Sequence, residues 1–245
     1  MSLAKKLGRM SALGALVFGL EGKAQVVAHW DFNEGSGLNV YDSIGNNTGT
    51  LQGGVNWTTD SISGTALEFN GGQVRIVGSE SSLDFGTKLT IEAYAKRMSG
   101  GDGLIIGKNS AYVFGIKNDK LFGALNTGGN GIEVNGNTIL QEGEWYKLRM
   151  AYDGLEFKVY VNDIEDGNFR NSSPLRINRS ALRDVFFSGS DEISHPIFYG
   201  MIDDVKISSG AYFVQGEIPE PSVYGIAFGL MALGAGMALK KKKEE

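Results

Sequence analysis

Polar and apolar residues alternate in steps of two along most of this chain. In Leu89-Thr90-Ile91-Glu92-Ala93-Tyr94-Ala95-Lys96 the alternation is unbroken. Tyr146, Leu148, Met150 and Tyr152 fall on one face of a second such segment, with Lys147 and Arg149 on the other. A period of two is the signature of a strand with one buried face. Asp153-Gly154 then marks a turn, and Leu155, Phe157, Val159 and Val161 alternate down the return strand against Glu156, Lys158, Tyr160 and Asn162. Shorter segments predict strands at 26–33, 66–69, 74–77, 104–108, 111–117, 120–125, 184–188 and 198–208. No apolar stripe of helical period runs beyond two turns between residues 25 and 218, and no repeat of fixed period is present. About a dozen short strands joined by Gly, Asn and Asp turns predict an all-β, two-sheet antiparallel sandwich of jelly-roll type.

The two ends break this pattern. Lys5, Lys6 and Arg9 precede the apolar stretch SALGALVFGL at 11–20, and Gly22-Lys23-Ala24 places small residues at the −3 and −1 positions of a cleavage site. That order is expected of a secretory signal peptide over 1–24; its apolar run is shorter than the roughly 20 residues that span a bilayer. At the other end Pro219-Glu220-Pro221 is followed by 18 uncharged residues, 222–239, and then by Lys240, Lys241, Lys242 and Lys243. Such a helix reaches ~27 Å, enough for a transmembrane helix, and the basic cluster would hold its end in the cytoplasm with the main domain outside. Physically this is a tail anchor. The three-part order also resembles the PEP-CTERM sorting signal of Gram-negative bacteria. That resemblance implies recognition by an exosortase-type transpeptidase, cleavage near 219–221, and release to the cell surface or extracellular polysaccharide matrix. The expected organisation is a leader at 1–24, one domain at 25–215 and a sorting tail at 216–245.

Within the domain, His29-Trp30-Asp31-Phe32-Asn33-Glu34-Gly35-Ser36-Gly37 and Tyr41-Asp42-Ser43-Ile44-Gly45-Asn46-Asn47-Thr48-Gly49-Thr50-Leu51 resemble the opening of bacterial laminin-G-like, concanavalin A-like jelly rolls. Gly64-Thr65-Ala66-Leu67-Glu68-Phe69-Asn70-Gly71, Leu89-Thr90-Ile91-Glu92-Ala93-Tyr94, Gly143-Glu144-Trp145 with Tyr152-Asp153-Gly154, and Gly200-Met201-Ile202-Asp203-Asp204-Val205 follow in the family's order. Two positions depart from it. Tyr94 stands where the family often has Trp, and Asn162-Asp163-Ile164-Glu165 lacks the usual turn glycine. The resemblance implies a fold that hosts both sugar-binding modules and glycanases, often with a calcium ion at a loop edge.

Composition narrows the chemistry. Glycine, at 36 of 245 residues with only 4 prolines, supplies turns rather than disorder, and the absence of cysteine excludes disulfides and thiolate sites. Without the two ends the chain has 15 basic and 24 acidic side chains, a net charge of −9 that disfavours nucleic acid. A retaining glycanase needs two carboxylates roughly 5–5.5 Å apart, and the β-glucanase relatives place them on one strand as Glu-x-Asp-x-(x)-Glu. That spacing is missing. Asp203 and Asp204 are adjacent and are expected on opposite strand faces, a turn glycine separates Glu142 from Glu144, and Asp163, Glu165 and Asp166 sit at a predicted hairpin tip. His29 and His195 lack a nucleophile elbow and read as structural. Asp42, Asn46 and Asn47 offer oxygens to a Ca2+ ion, although ordinary Asx-turn bonds explain them as well. Glu92, Tyr94, Trp145 and Arg149 face away from the predicted core. The aromatics there would stack on a pyranose and the charged groups would bond hydroxyls. The sequence therefore reads as a non-catalytic domain for polysaccharide or another matrix component. A ligand-free structural matrix protein and a glycan hydrolase are the rival readings.

Overall fold

The computed structural model describes residues 24–78, 82–108, 110–129, 131–179, 184–189 and 196–214. The strands, in chain order, are β1 (Gln25–Trp30), β2 (Asn39–Val40), β3 (Gly49–Gln52), β4 (Val55–Thr58), β5 (Ala66–Phe69), β6 (Gln73–Ile76), β7 (Leu89–Arg97) and β8 (Gly103–Lys108). They continue as β9 (Tyr112–Lys117), β10 (Lys120–Leu125), β11 (Ile132–Asn135), β12 (Trp145–Tyr152), β13 (Glu156–Val161), β14 (Ile164–Arg170), β15 (Val185–Phe187) and β16 (Gly200–Ser209). The described residues contain no helix. One sheet runs β14-β13-β12-β7-β16-β5-β4, with β1 also paired to β16; the other runs β11-β10-β9-β8-β15-β6-β3-β2. Every strand pair is antiparallel, and the chain passes repeatedly between the sheets, as at β5 to β6 to β7 and at β14 to β15 to β16. This connectivity is consistent with a jelly roll.

Alternation explains how the layers meet. Leu89, Ile91, Ala93 and Ala95 of β7 point inward, as do Leu148, Met150 and Tyr152 of β12 and Phe157 and Val159 of β13; all are buried. Trp30 and Phe32 meet Phe187 edge-on, with ring centroids 5.1 and 5.5 Å apart, the arrangement that ring quadrupoles favour. The Trp30 indole Nε1 donates to the Asn47 carbonyl at 2.8 Å, so its polar edge is satisfied inside the core. One ion pair is also enclosed. Lys108, fully buried, donates to Asp84 Oδ1 at 2.7 Å.

The strands expected from alternation are all present, most within a residue or two; β1 ends at Trp30, three residues short of the expected 33. Sequence reading missed β2, β3, β4 and β11, which at two to four residues are too short for alternation to stand out, and the seven-residue β14, whose residues are mostly exposed. The second hairpin turn needs no glycine. Asn162 and Asp163 both take positive φ (51° and 64°), the mirror-type turn that Asn and Asp tolerate. The expectation for Asp203 and Asp204 requires correction. The register of β16 against β7 slips between Asp203 and Lys206, and Asp204 adopts φ 49°. The bulge absorbs one residue, so both carboxylates lie on the side of the sheet away from the core. The signal-peptide residues before Ala24, the Pro219-Glu220-Pro221 motif, the apolar stretch at 222–239 and His195 lie outside the described residues.

Candidate glycan-binding face

The outer surface of the β1-containing sheet carries the candidate residues. Across β12 and β7, Arg149 pairs with Glu92, Lys147 with Tyr94, and Trp145 with Lys96; Lys206 of β16 flanks Glu92 on its other side. Opposite-strand partners in register share a face, so the four residues singled out from sequence lie in successive rows of one surface. They are not all in one site.

Glu92 and Arg149 meet in a groove of about 500 Å³, together with Lys147, Asp163, Lys206 and Tyr212. Arg149 is only 3% exposed. Its Nε and Nη2 donate to Glu92 Oε2 at 2.8 and 2.5 Å, and Nη2 also reaches Asp163 Oδ1 at 2.7 Å. The guanidinium lies between two rings, 4.8 Å from the Tyr212 centroid and 5.7 Å from that of Tyr160. This geometry suits a planar, weakly hydrated cation. Its remaining nitrogen, Nη1, is buried and has no partner. An unpaired buried donor is costly, and a ligand oxygen placed there would relieve that cost. Burial pulls the Lys147 ammonium down, but Glu92 and Asp163 outweigh it and hold the pKa above the ordinary lysine value. Burial also pushes the Tyr160 hydroxyl up to about 12, so it stays a neutral phenol.

The groove lies where the described chain begins and ends. Ala24 and Val214 both line it. Residues after β16 cross its margin as a strap: Tyr212 N donates to Thr90 Oγ1 at 2.8 Å, and Thr90 Oγ1 donates to the Gly210 carbonyl at 2.6 Å. Trp145 and Tyr94 lie farther along the face, outside the groove. The Trp145 indole donates to Asp60 Oδ1 at 3.0 Å, and Lys96 Nζ to Asp60 Oδ2 at 2.7 Å. These two bonds hold the Asp60 carboxyl below its usual range. The sequence places Lys147 on the outward face and Asp163 at a hairpin tip but assigns neither to the site, and it singles out neither Lys206 nor Tyr212. Lys147 shares the alternating face of Arg149, but nothing local shows that the hairpin tip and the strap after β16 converge on it.

The proposed calcium ligands do not form an open set. Asp42 Oδ1 accepts from the amides of His29, Ile44 and Gly45, and Oδ2 accepts from Asn47 Nδ2 at 2.6 Å. Asn47 is engaged by Ser82 and Trp30, and Asn46 is exposed. These residues close a loop rather than offer free oxygens, and a Ca2+ ion does not fit them. The described residues contain no cluster of three or more His, Cys, Asp or Glu side chains suited to a metal.

Two arrangements bear on catalysis. His29 Nε2 pairs with Asp204 Oδ1 at 2.6 Å and its Nδ1 lies 3.3 Å from Ser43 Oγ, a serine-histidine-aspartate file. The neighbouring amides are committed, however: Ser43 N donates to the His29 carbonyl, and those of Ile44 and Gly45 to Asp42. None of these is left to stabilise an oxyanion. Asp203 and Asp204 have diverging pKa values. Burial raises Asp203, whereas the His29 hydrogen bond lowers Asp204 to about 2. Such divergence can mark an acid and base pair, but Asp203 is 1% exposed and its Oδ2 accepts from the amides of Ile62 and Ser63. Its carboxylate anchors a loop where no substrate reaches it.

Domain 4 of AbnA, a GH43 extracellular arabinanase from Geobacillus stearothermophilus, solved in complex with arabinotriose, is similar in fold (TM-score 0.60, 20% identity). The match covers 77% of this chain and 94% of that one. The binding domain of botulinum neurotoxin DC in complex with rat synaptotagmin II matches with a TM-score of 0.59 and 15% identity, covering 77% of this chain and 49% of that one. The same toxin domain in complex with SialylT gives a TM-score of 0.56 at 13% identity, with coverage of 77% and 48%. The present chain thus spans about half the length of the toxin domains it matches. No curated protein matches the sequence. The concanavalin A-like lectin/glucanases superfamily matches over residues 69–215. This chain is a member of that superfamily.

Proposed function

We propose that the protein is an exported, non-catalytic glycan-binding module whose saccharide site is the Glu92–Arg149 groove. The observation that carries this reading is the buried Arg149 Nη1, a charge-assisted donor without a partner in a groove of about 500 Å³. Sugar hydroxyls both donate and accept. They suit a groove where carboxylates of Glu92 and Asp163 alternate with the cations of Lys147 and Lys206. Support also comes from the fold, shared with a domain solved in complex with arabinotriose.

The ends of the chain complete the proposal. Residues 1–24 direct export and are removed after Ala24. The tail at 216–245 holds the domain at the inner membrane until an exosortase-type enzyme cuts near Pro219, Glu220 and Pro221. The domain, residues 25–215, then joins the surface or the polysaccharide matrix of a Gram-negative cell. Ala24, the last residue of the leader, and Val214, just before the tail, both line the groove, so both processing steps trim the chain at its margin.

A glycan array probed with the wild-type protein and with Arg149→Lys tests the site. The lysine keeps the charge but loses the planar fork. Saturable binding to one glycan class, weakened about tenfold or more in the variant, is expected. A blank array with folded wild-type protein would overturn the reading in favour of a structural matrix protein. Reducing-end release from a bound glycan would favour the hydrolase.

A further inference from the structure

A second pocket opens at the end of the same sheet, distinct from the groove. It encloses about 300 Å³ between Glu68, Asn70, Met98, Ser99 and Tyr199. Tyr199 is 39% exposed and Met98 43%, so an aromatic ring and a thioether form an apolar floor open to solvent. Glu68 is on β5, in register with Met201 of β16 and Asn56 of β4. Met201 is in turn in register with Lys96. From strand spacing and rise, Glu68 lies on the order of 17 Å from Glu92, so the two pockets are separate.

The two pockets differ in what their polar groups are doing. In the groove every charged side chain except one guanidinium nitrogen is bonded to another. Here the carboxylate of Glu68, the side-chain amide of Asn70 and the hydroxyl of Tyr199 make no hydrogen bond or ion pair among the described residues. Glu68 supplies acceptors, Asn70 a donor and an acceptor, and Tyr199 one of each. Open to solvent, these groups are hydrated, and a ligand hydroxyl can replace that water without breaking a bond within the protein. The backbone beneath them is already fixed: Asn70 N donates to the Gly54 carbonyl at 2.7 Å and Met98 N to the Tyr199 carbonyl at 2.9 Å. The side chains are thus held on a rigid base with their polar ends free.

We propose that Tyr199, Glu68 and Asn70 form a second saccharide site, selective for a neutral sugar. The C–H face of a pyranose or furanose ring lies on Tyr199, and adjacent hydroxyls bridge Glu68 and Asn70. A single uncompensated carboxylate in a domain of net charge −9 repels uronates and sulfated sugars, which sets the preference for neutral rings. With two sites on one domain, a polymer gains avidity by engaging both, or two chains become cross-linked. The second site stands on its own geometry and does not require the groove to bind.

The test is calorimetric titration of the full-length chain with arabinotriose, cellotetraose and xylotetraose, each up to about 20 mM, where a site with a Kd near 1 mM saturates. Wild type is compared with Tyr199→Ala, Tyr199→Phe, Glu68→Gln and Arg149→Lys, each checked for an unchanged melting temperature. Two equivalents bound by wild type and one by Tyr199→Ala are expected. Tyr199→Phe should keep the second equivalent with weaker binding, and Glu68→Gln should weaken it roughly tenfold. Raising salt should leave it unchanged. Unaltered binding in Tyr199→Ala, with loss confined to Arg149→Lys, would overturn this site and leave the groove standing. The reverse pattern would overturn the groove alone, and no binding of any of the three sugars to wild type would overturn both.

Discussion

Asp204 offers the most quantitative handle on how β1 is attached to the sheet. It sits at the bulge of β16, where His29 Nε2 on β1 and Lys206 Nζ each approach within 2.6 Å. The His29 hydrogen bond is the main cause of its depressed pKa, ahead of opposing burial and the Lys206 bond. The drop from an ordinary 3.8 to about 2, at ~1.4 kcal/mol per pH decade, amounts to about 2 kcal/mol. A depressed carboxylate pKa contributes stability that is present above the unfolded value. It is lost as pH falls through the folded one. Asp204→Asn should therefore be less stable than wild type by up to about 2 kcal/mol at pH 7. The gap should narrow below about pH 4 and close near pH 2. Asp203 trims this figure, because its carboxyl is raised by burial and, to a smaller degree, by the charge of Asp204. Removing that charge relieves Asp203. Urea unfolding of both proteins between pH 7 and 2.5, followed by tryptophan fluorescence, measures the difference. A constant offset across that range, or no offset at pH 7, would refute the electrostatic account.

Other consequences are equally direct. Trp30→Ala empties the centre of the aromatic cluster with Phe187 and should cost roughly 3–5 kcal/mol, seen as a collapse of the melting transition. Asp42→Ala leaves three backbone donors without their acceptor and should destabilise by about 1–3 kcal/mol. Chelator should leave the wild-type melting temperature unchanged, and a drop reversed by Ca2+ would contradict the closed loop around Asp42. The processing proposal predicts that protein from native surface material has an intact mass lacking residues 1–24 and everything beyond about Pro219. Retention of Lys240 to Lys243 would indicate a permanent anchor instead.

Much of this architecture was readable from local pattern. A strand buried on one face leaves a period of two, and β7, β12 and β13 are among the strands with the clearest alternation. The outward placement of Glu92, Tyr94, Trp145 and Arg149 followed from the same period. Strands such as β14, whose residues are mostly exposed, leave no such trace because pairing with β13 and the hydrogen bonds that Asp166 accepts from Asn137 and Thr138 hold them, rather than a buried apolar face. The bulge at Asp204 was hidden for a related reason: a slipped register exists only relative to a partner strand.

The sequence by itself determined the all-β class, the inner and outer faces of the long strands and the family blocks, because these depend on neighbours two or three residues apart. Tertiary structure alone decided that Glu92 and Arg149 meet, 57 residues apart in the chain, while Trp145 is drawn instead to Asp60. It also decided that Asp163 and Tyr212 close on the same guanidinium, that Asp42 spends its oxygens on its own loop, and that Glu68, Asn70 and Tyr199 stay uncommitted. Each of these turns on which distant groups strand order brings within hydrogen-bonding reach, a distance that pattern along a single strand does not encode.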